Sequence, residues 1–155
     1  MSSVETSGFT TDIAGLGKTV GSQLGPTEWT EMTQQLVNKF ADLTGDHNFI
    51  HVDVERAKQT SFGGTIAHGF LSLSLLAPVT QLLHVSDAGT SINYGLNKVR
   101  FPGPLRVGSR FRGVAEITSV GEIGGGVEAH ISATLEVENA ERPAVVAASI
   151  VRFYA

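Results

Sequence analysis

Cysteine is absent from the chain. Its absence excludes disulfides, thiolate metal sites and a cysteine nucleophile, and nothing argues for an oxidising compartment. Charge is sparse: 17% of residues are charged against 41% hydrophobic, an ordinary globular balance on the low-charge side. A net charge of −4 gives no general footprint for nucleic acid or an anionic membrane. The N-terminus, Met1 to Asp12, lacks a basic region followed by an apolar run. No secretory signal is expected, and the expected setting is cytoplasmic. The stretch from Ser61 to Ser86 has no Asp, Glu, Lys or Arg. It contains His68, Ser72, Ser74 and Pro78, so it reads as a buried core helix rather than a membrane span.

A length of 155 residues fits a single domain over 1–155 with a sizeable core. Residues 1–25 are rich in Gly, Ser and Thr and are expected to be loosely structured, apart from a short helix within Phe9 to Leu16. Gly17-Lys18-Thr19 ends like a phosphate-binding loop. Asp12 stands where that motif needs Gly, and no apolar strand precedes it, so the motif is rejected.

What the chain does contain is organised around Phe40 to Leu83. A short strand is expected within Thr27 to Met32. Thr33 suits the N-cap of a helix, whose apolar stripe is Leu36, Val37, Phe40 and Ala41. Gly45 sits where a left-handed C-cap glycine belongs. The helix therefore stops just before a polar knot, Asp46-His47-Asn48-Phe49-Ile50-His51-Val52-Asp53, and holds it on a loop. Asp53 is placed to cap a short helix through Ala57. A flexible Phe62-Gly63-Gly64-Thr65 entry leads to a long helix, roughly Ala67 to His84. Leucines surround it on all sides, which predicts burial on all sides, with a kink or stop at Pro78.

The remainder is β. Val127 to Val137 alternates without a break and predicts an antiparallel strand with one wet face. Ser109 to Ser119 alternates likewise, with Phe111, Ala115 and Ile117 inward, and Gly124-Gly125-Gly126 joins the two as a hairpin. In Ser91 to Phe101 the residues Ile92, Tyr94 and Leu96 share a phase. The phase then flips to Val99 and Phe101, predicting a bulge near Asn97. Ala144 to Tyr154 is apolar on both faces apart from Arg152, as a central strand would be. The fold class is α+β: a curved antiparallel sheet wrapped around a long central helix.

Three segments carry a family likeness. Asp46, Asn48, His51 and Asp53 are followed by Ile66-Ala67-His68-Gly69, and then by the stretch from Asn97 to Gly108 with Arg100-Phe101. In this order and spacing they resemble the MaoC-like, or R-specific enoyl-CoA hydratase (hydratase 2), family of the hot-dog fold. The likeness covers roughly Met32 to Tyr154 and looks closest to short single-domain actinobacterial members. Many members carry Pro where this chain has Phe49. The resemblance implies reversible addition of water to a trans-2-enoyl thioester, giving the (3R)-3-hydroxyacyl thioester. It implies that Asp46 and His51 hold the water and exchange protons, that Asn48 orients the pair or the water, and that the Gly69 N–H supplies an oxyanion contact. A helix's first turn has free N–H groups and a positive dipole end, which suits that task. Which of Asp46 and His51 is the base is left open by the sequence.

Read singly, the other polar residues are structural. His68 is expected to bond the loop backbone, Asp53 to brace the loop, His47 to face solvent or a partner, His84 to end a helix and His130 to lie on a strand surface. His47, His51 and Asp53 make no convincing metal set, since no further distant ligand is evident. Neither a metal nor a cofactor is expected, CoA being part of the substrate. From Ala88 to Ala115 there is no acidic residue, yet Lys98, Arg100, Arg106, Arg110 and Arg112 fall there. Lys98, Arg100 and Arg106 are the candidates for the CoA phosphates, with Arg100 first among them. A homodimer joined at open sheet edges is implied by the family. The alternatives are a hot-dog thioesterase, a dehydratase acting on acyl-carrier-protein substrates and a non-catalytic acyl-CoA-binding protein.

Overall fold

The structure is a computed structural model that describes residues 7–155. Residues 1–6 lie outside it, and with them the first part of the segment expected to be loose. From residue 7 onward that expectation fails. Strand β1 (Phe9–Thr11), a single 3-10 turn (Leu16–Thr19) and strand β2 (Gln23–Leu24) are all built, and the helix expected within Phe9 to Leu16 is not formed. Leu16 and Leu24 are fully buried. These two apolar anchors outweigh the surrounding Gly, Ser and Thr, which merely let the chain turn between them.

Strand β3 (Thr30–Glu31) leads into helix α1 (Gln34–Thr44), and both ends of the helix are as the sequence predicts. The Thr33 hydroxyl accepts a hydrogen bond from the Leu36 N–H. Gly45 closes the helix at φ 78°, its N–H donating to the Ala41 carbonyl. Val37 and Ala41 are fully buried, while Leu36 stays exposed at the edge of the stripe. Two one-turn helices follow, α2 (Phe49–Val52) and α3 (Val54–Ala57), the second capped by the Asp53 carboxylate accepting from the Arg56 N–H.

The long helix expected from Ala67 to His84 is two short ones, α4 (Gly69–Ser74) and α5 (Ala77–Thr80), followed by strand β4 (Leu83–Val85). Leu75 and Leu76 carry ψ values of −3° and −14°, which flatten the helix between the two. Pro78 lies in the first turn of α5, where its missing N–H has no helical partner to lose. β4 pairs in parallel with β1, Phe9 beside Leu83. The strand partner came from the segment that composition discounted, so His84 is an exposed strand residue and not a helix end. Burial on all sides also fails: Phe70 is 76% exposed, and Leu73, Leu75 and Leu82 are half-buried.

Strands β5 (Thr90–Arg100), β6 (Arg110–Ile123), β7 (Gly126–Val137) and β8 (Val145–Tyr154) complete a sheet of order β2-β6-β7-β8-β5, with β3 also on β6. All pairings in it are antiparallel. Val127, Ala129, Ile131, Ala133 and Leu135 point inward as their alternation predicts. The β6–β7 hairpin turns at Gly124 and Gly125, the latter at φ 81°. β5 shows two register breaks, after Asn93 and after Leu96, where the phase flip predicts one. β5 is an edge strand, and Ile92, Tyr94 and Leu96 are exposed.

Helix α5 presses tightly on the sheet at Gly113 of β6. A Cβ there would lie 2.9 Å from both Cβ and Cγ1 of Val79 on α5. Gly113→Ala is expected to destabilise the fold by about 1–3 kcal/mol, the range for overpacking. Urea unfolding checks this, and adding Val79→Ala should recover part of the loss.

Candidate active site

α1 ends at Gly45 and delivers the polar knot to one wall of a cavity of about 540 Å³. The cavity is lined by Phe40, Thr44, Asp46, His51, His68, Gly69, Phe70 and Phe101. Asp46 is exposed, while His51 and His68 are buried. One donor atom from each of the three lies within 4.8 Å of the others. Three hydrogen bonds stitch the knot to the approach of α4. The Ile66 N–H donates to the Ile50 carbonyl at 3.0 Å. His51 Nδ1 lies 2.7 Å from the Ile66 carbonyl, and His68 Nε2 lies 2.9 Å from the Asp46 carbonyl. A carbonyl only accepts, so both imidazole nitrogens carry protons. This fixes the tautomer of His51: Nδ1 is the donor and Nε2 the free acceptor facing the site.

Burial pushes the His51 imidazole below its ordinary pKa of 6.5. The Ile66 hydrogen bond opposes the shift, the adjacent His68 ring adds to it, and Asp46 opposes it weakly. A neutral His51 with an open Nε2 lone pair is the resting state near neutrality. The His51 and His68 rings stack, centroids 3.8 Å apart and planes at 27°. His68 does what the sequence assigns it, bonding the loop backbone. Its Nδ1 is the one buried side-chain polar atom without a partner among the described residues.

The triad Asp46, His51 and His68 differs from the His47, His51 and Asp53 set weighed from sequence. Its geometry is also poor for an ion. Two of the four ring nitrogens, His51 Nδ1 and His68 Nε2, already donate to carbonyls, and the other lone pairs lie in the planes of two rings stacked 3.8 Å apart, which does not favour the ~2.0–2.1 Å ligand distances a metal requires. His47 instead lies outside the cavity and pairs with Asp42 at 3.0 Å, which raises its pKa.

Asn48 does not reach the cavity lining. Its side-chain oxygen accepts from the Ile50 N–H and caps α2, the turn that carries His51. Its backbone N–H donates to Asp46 Oδ1 at 3.2 Å, leaving the second carboxylate oxygen without a partner among the described residues. Gly69 opens α4 at the cavity wall, and a Cβ there would come within 3.3 Å of the Phe101 ring. Phe49 packs on the neighbouring helix α3, its ring carrying the Arg56 guanidinium at 3.9 Å.

The basic segment divides. Arg110 pairs with Glu138, and Arg112 with Glu136 at 2.7 Å, so the sheet neutralises both. Lys98, Arg100 and Arg106 form no ion pair among the described residues. Arg106 donates to the Phe62 carbonyl and Arg100 to the Val99 carbonyl. None of the three lines the cavity, although Arg100 adjoins Phe101, which does. Sequence reasoning passed over Phe40, Thr44 and Gln34. Gln34 donates to the His51 carbonyl at 2.7 Å, and only its place one residue after the N-cap hinted at it.

The chain is similar to known proteins in sequence and in fold. The chain is 50% identical over 145 residues to 3-hydroxyacyl-thioester dehydratase Z of Mycobacterium tuberculosis, spanning 92% of this chain and 96% of that one. It is 40% identical over 139 residues to nodulation protein N of Rhizobium leguminosarum, covering 87% and 86%. Among solved structures, the monoamine oxidase regulatory protein from Archaeoglobus superposes with a TM-score of 0.76 at 24% identity, covering 88% and 91%. The (R)-hydratase from A. caviae involved in PHA biosynthesis superposes with 0.70 at 25% identity, covering 85% and 94%. The fold is the hot-dog fold. The family model described as "MaoC like domain" matches residues 16–140, and the chain belongs to that MaoC-like family.

Proposed function

We propose that the protein is an (R)-specific enoyl-CoA hydratase, adding water reversibly to trans-2-enoyl-CoA to give (3R)-3-hydroxyacyl-CoA. The observation that carries this reading is one cavity holding a carboxylate, an imidazole with an open acceptor nitrogen and the first residue of a helix. A water between Asp46 and His51 Nε2 donates a hydrogen to each and keeps a lone pair for C3. As the C3–O bond forms, the C2=C3 π bond breaks and charge moves to the thioester oxygen. The Gly69 N–H at the start of α4 meets that charge. The proton taken from water by Asp46 or His51 is returned to C2 on the same face. One water supplies both added groups, the hydroxyl on C3 and the hydrogen on C2, and no cofactor takes part. Asn48 acts by holding Asp46 and by capping the turn under His51.

Two further features support a CoA thioester. A second cavity of about 680 Å³ lies between α4, α5 and strands β4, β5 and β8 and shares Phe70 with the first, room for an acyl chain. Among the described residues Lys98, Arg100 and Arg106 have no carboxylate partner, and they suit the nucleotide phosphates. Arg100→Ala should raise KM for the CoA substrate roughly tenfold or more, the worth of a charge-assisted contact, with kcat far less affected. The open β5 edge, with Ile92, Tyr94 and Leu96 exposed, supports a homodimer, and we place the enzyme in the cytoplasm with its CoA substrates.

The test is a crotonyl-CoA assay. Loss of the conjugated-enoyl absorbance without free thiol, giving the R product, is expected. Thiol release would make the protein a thioesterase, neither signal a binding protein, and an S product would sink the stereochemical assignment.

A further inference from the structure

We propose that Gln34 is a positioning residue for the reaction, holding the His51 imidazole in its working tautomer through a closed ring of contacts. The inference rests on the hydratase reading above. Gln34 is the first residue of α1, and its side chain turns toward the α2 turn and the approach to α4. Its Nε2 donates to the His51 carbonyl at 2.7 Å and to Asn38 Oδ1 at 2.9 Å. Its Oε1 accepts from the Thr65 hydroxyl at 2.6 Å. Both amide hydrogens and the amide oxygen are therefore in use. The orientation of the amide is dictated as well, because the His51 carbonyl only accepts and the NH2 group must face it.

These contacts close a ring. The Gln34 amide spans from the His51 carbonyl to the Thr65 hydroxyl. Thr65 is covalently joined to Ile66, and the Ile66 carbonyl receives the proton on His51 Nδ1. Gln34 thus sets the separation between the backbone of His51 and the acceptor that orients its ring. Thr65 is itself buried, and its carbonyl is held by the Val107 N–H at 3.0 Å, so the far side of the ring does not yield. With the amide removed, α2 loses its tie to Ile66 on this side. The imidazole then gains the freedom to rotate or to carry its proton on Nε2, which turns the acceptor facing the water into a donor. A positioned acid–base group is sensitive to misplacement on the ångström scale.

The titratable groups facing His51 are Asp46 on the loop and His68 at the start of α4. Gln34→Glu adds a charge on the α1 side. Its carboxylate still accepts from Thr65 but opposes the His51 carbonyl, and its charge raises the imidazole pKa.

Gln34→Leu, Gln34→Glu and Thr65→Val are compared with the wild-type chain in crotonyl-CoA kinetics and by nitrogen NMR of labelled histidine. Gln34→Leu should lower kcat about tenfold, the worth of one lost contact, with KM within about twofold. Its His51 nitrogens should leave the pure Nδ1–H state. Gln34→Glu should lose more and move the acid limb of the pH profile upward. Thr65→Val should lose several-fold, and Thr65→Ser should restore activity. A Gln34→Leu kcat within about twofold of wild type overturns the proposal, as does a lower kcat with the tautomer unchanged. Should Gln34→Leu not fold, the Thr65→Val and Thr65→Ser pair decides by the same criteria. A wild-type chain inactive on enoyl-CoA defeats the hydratase reading alone, and the tautomer measurement still decides the role of Gln34.

Discussion

Asp46→Asn is expected to cut kcat for enoyl-CoA hydration by at least ~10²-fold, the low end for a positioned acid–base group, while leaving the fold intact. The substitution keeps the shape and one carbonyl-type oxygen. The contact from the Asn48 N–H to Asp46 Oδ1 survives, as do the two main-chain contacts of residue 46, its N–H to the Thr44 hydroxyl and its carbonyl to His68. What is lost is the charge on the second oxygen, Asp46 Oδ2. An amide in its place offers a donor to a water that needs two acceptors, so it both fails to take a proton and turns the water the wrong way. Asp46 is exposed, and a surface change of this kind shifts stability within about 0.5 kcal/mol. Thermal unfolding close to wild type beside a collapsed kcat would therefore separate chemistry from folding. Near-normal activity would remove Asp46 from the mechanism.

The sequence carried the parts of this site that depend on local rules. Thr33 and Gly45 bracket α1 because capping is decided within a turn, and the strict alternation of Val127 to Val137 leaves only one inward face. The site motif was legible because its residues are close in the chain. The contacts that tie the site together are not local. Gln34 meets Thr65 across 31 positions, and nothing in either neighbourhood marks the pair. The break between α4 and α5 had a visible cause in Pro78, but the strand that replaces the helix end depends on β1, a partner more than seventy residues away. Composition discounted that whole segment because it averages over residues, while burial acts on single ones such as Leu16. Charge was misread in the same way: five cations without an acid among them in sequence form a basic stretch, yet Arg110 and Arg112 meet Glu138 and Glu136 across strands. Only pairing register reveals that, and it concentrates the search for the phosphate contacts on Lys98, Arg100 and Arg106.

His51→Gln should also lower kcat by at least ~10²-fold, and its pH dependence tells which state of the ring matters. Burial holds the His51 pKa below 6.5. If the neutral ring with its open Nε2 is the working form, the wild-type acid limb of kcat/KM lies below pH 6.5, and the residual activity of the glutamine variant lacks that limb. Stability follows the same sign. Below 6.5 the unfolded chain takes up a proton at this histidine while the folded chain does not. Unfolding is then proton-consuming, and wild-type stability falls as pH drops from 6.5 toward the folded pKa, then levels off. The variant has no proton to take up at position 51, so its stability should depend less on pH across that window. Glutamine retains a side-chain N–H for the Ile66 carbonyl, so the stitch between α2 and the approach to α4 persists while the basic nitrogen is gone. An acid limb above pH 6.5 would mean that Asp46 dominates the pKa of His51 and that the imidazolium is the resting form. The ring would then begin hydration as the acid toward C2, and the water would lose its proton to Asp46 alone.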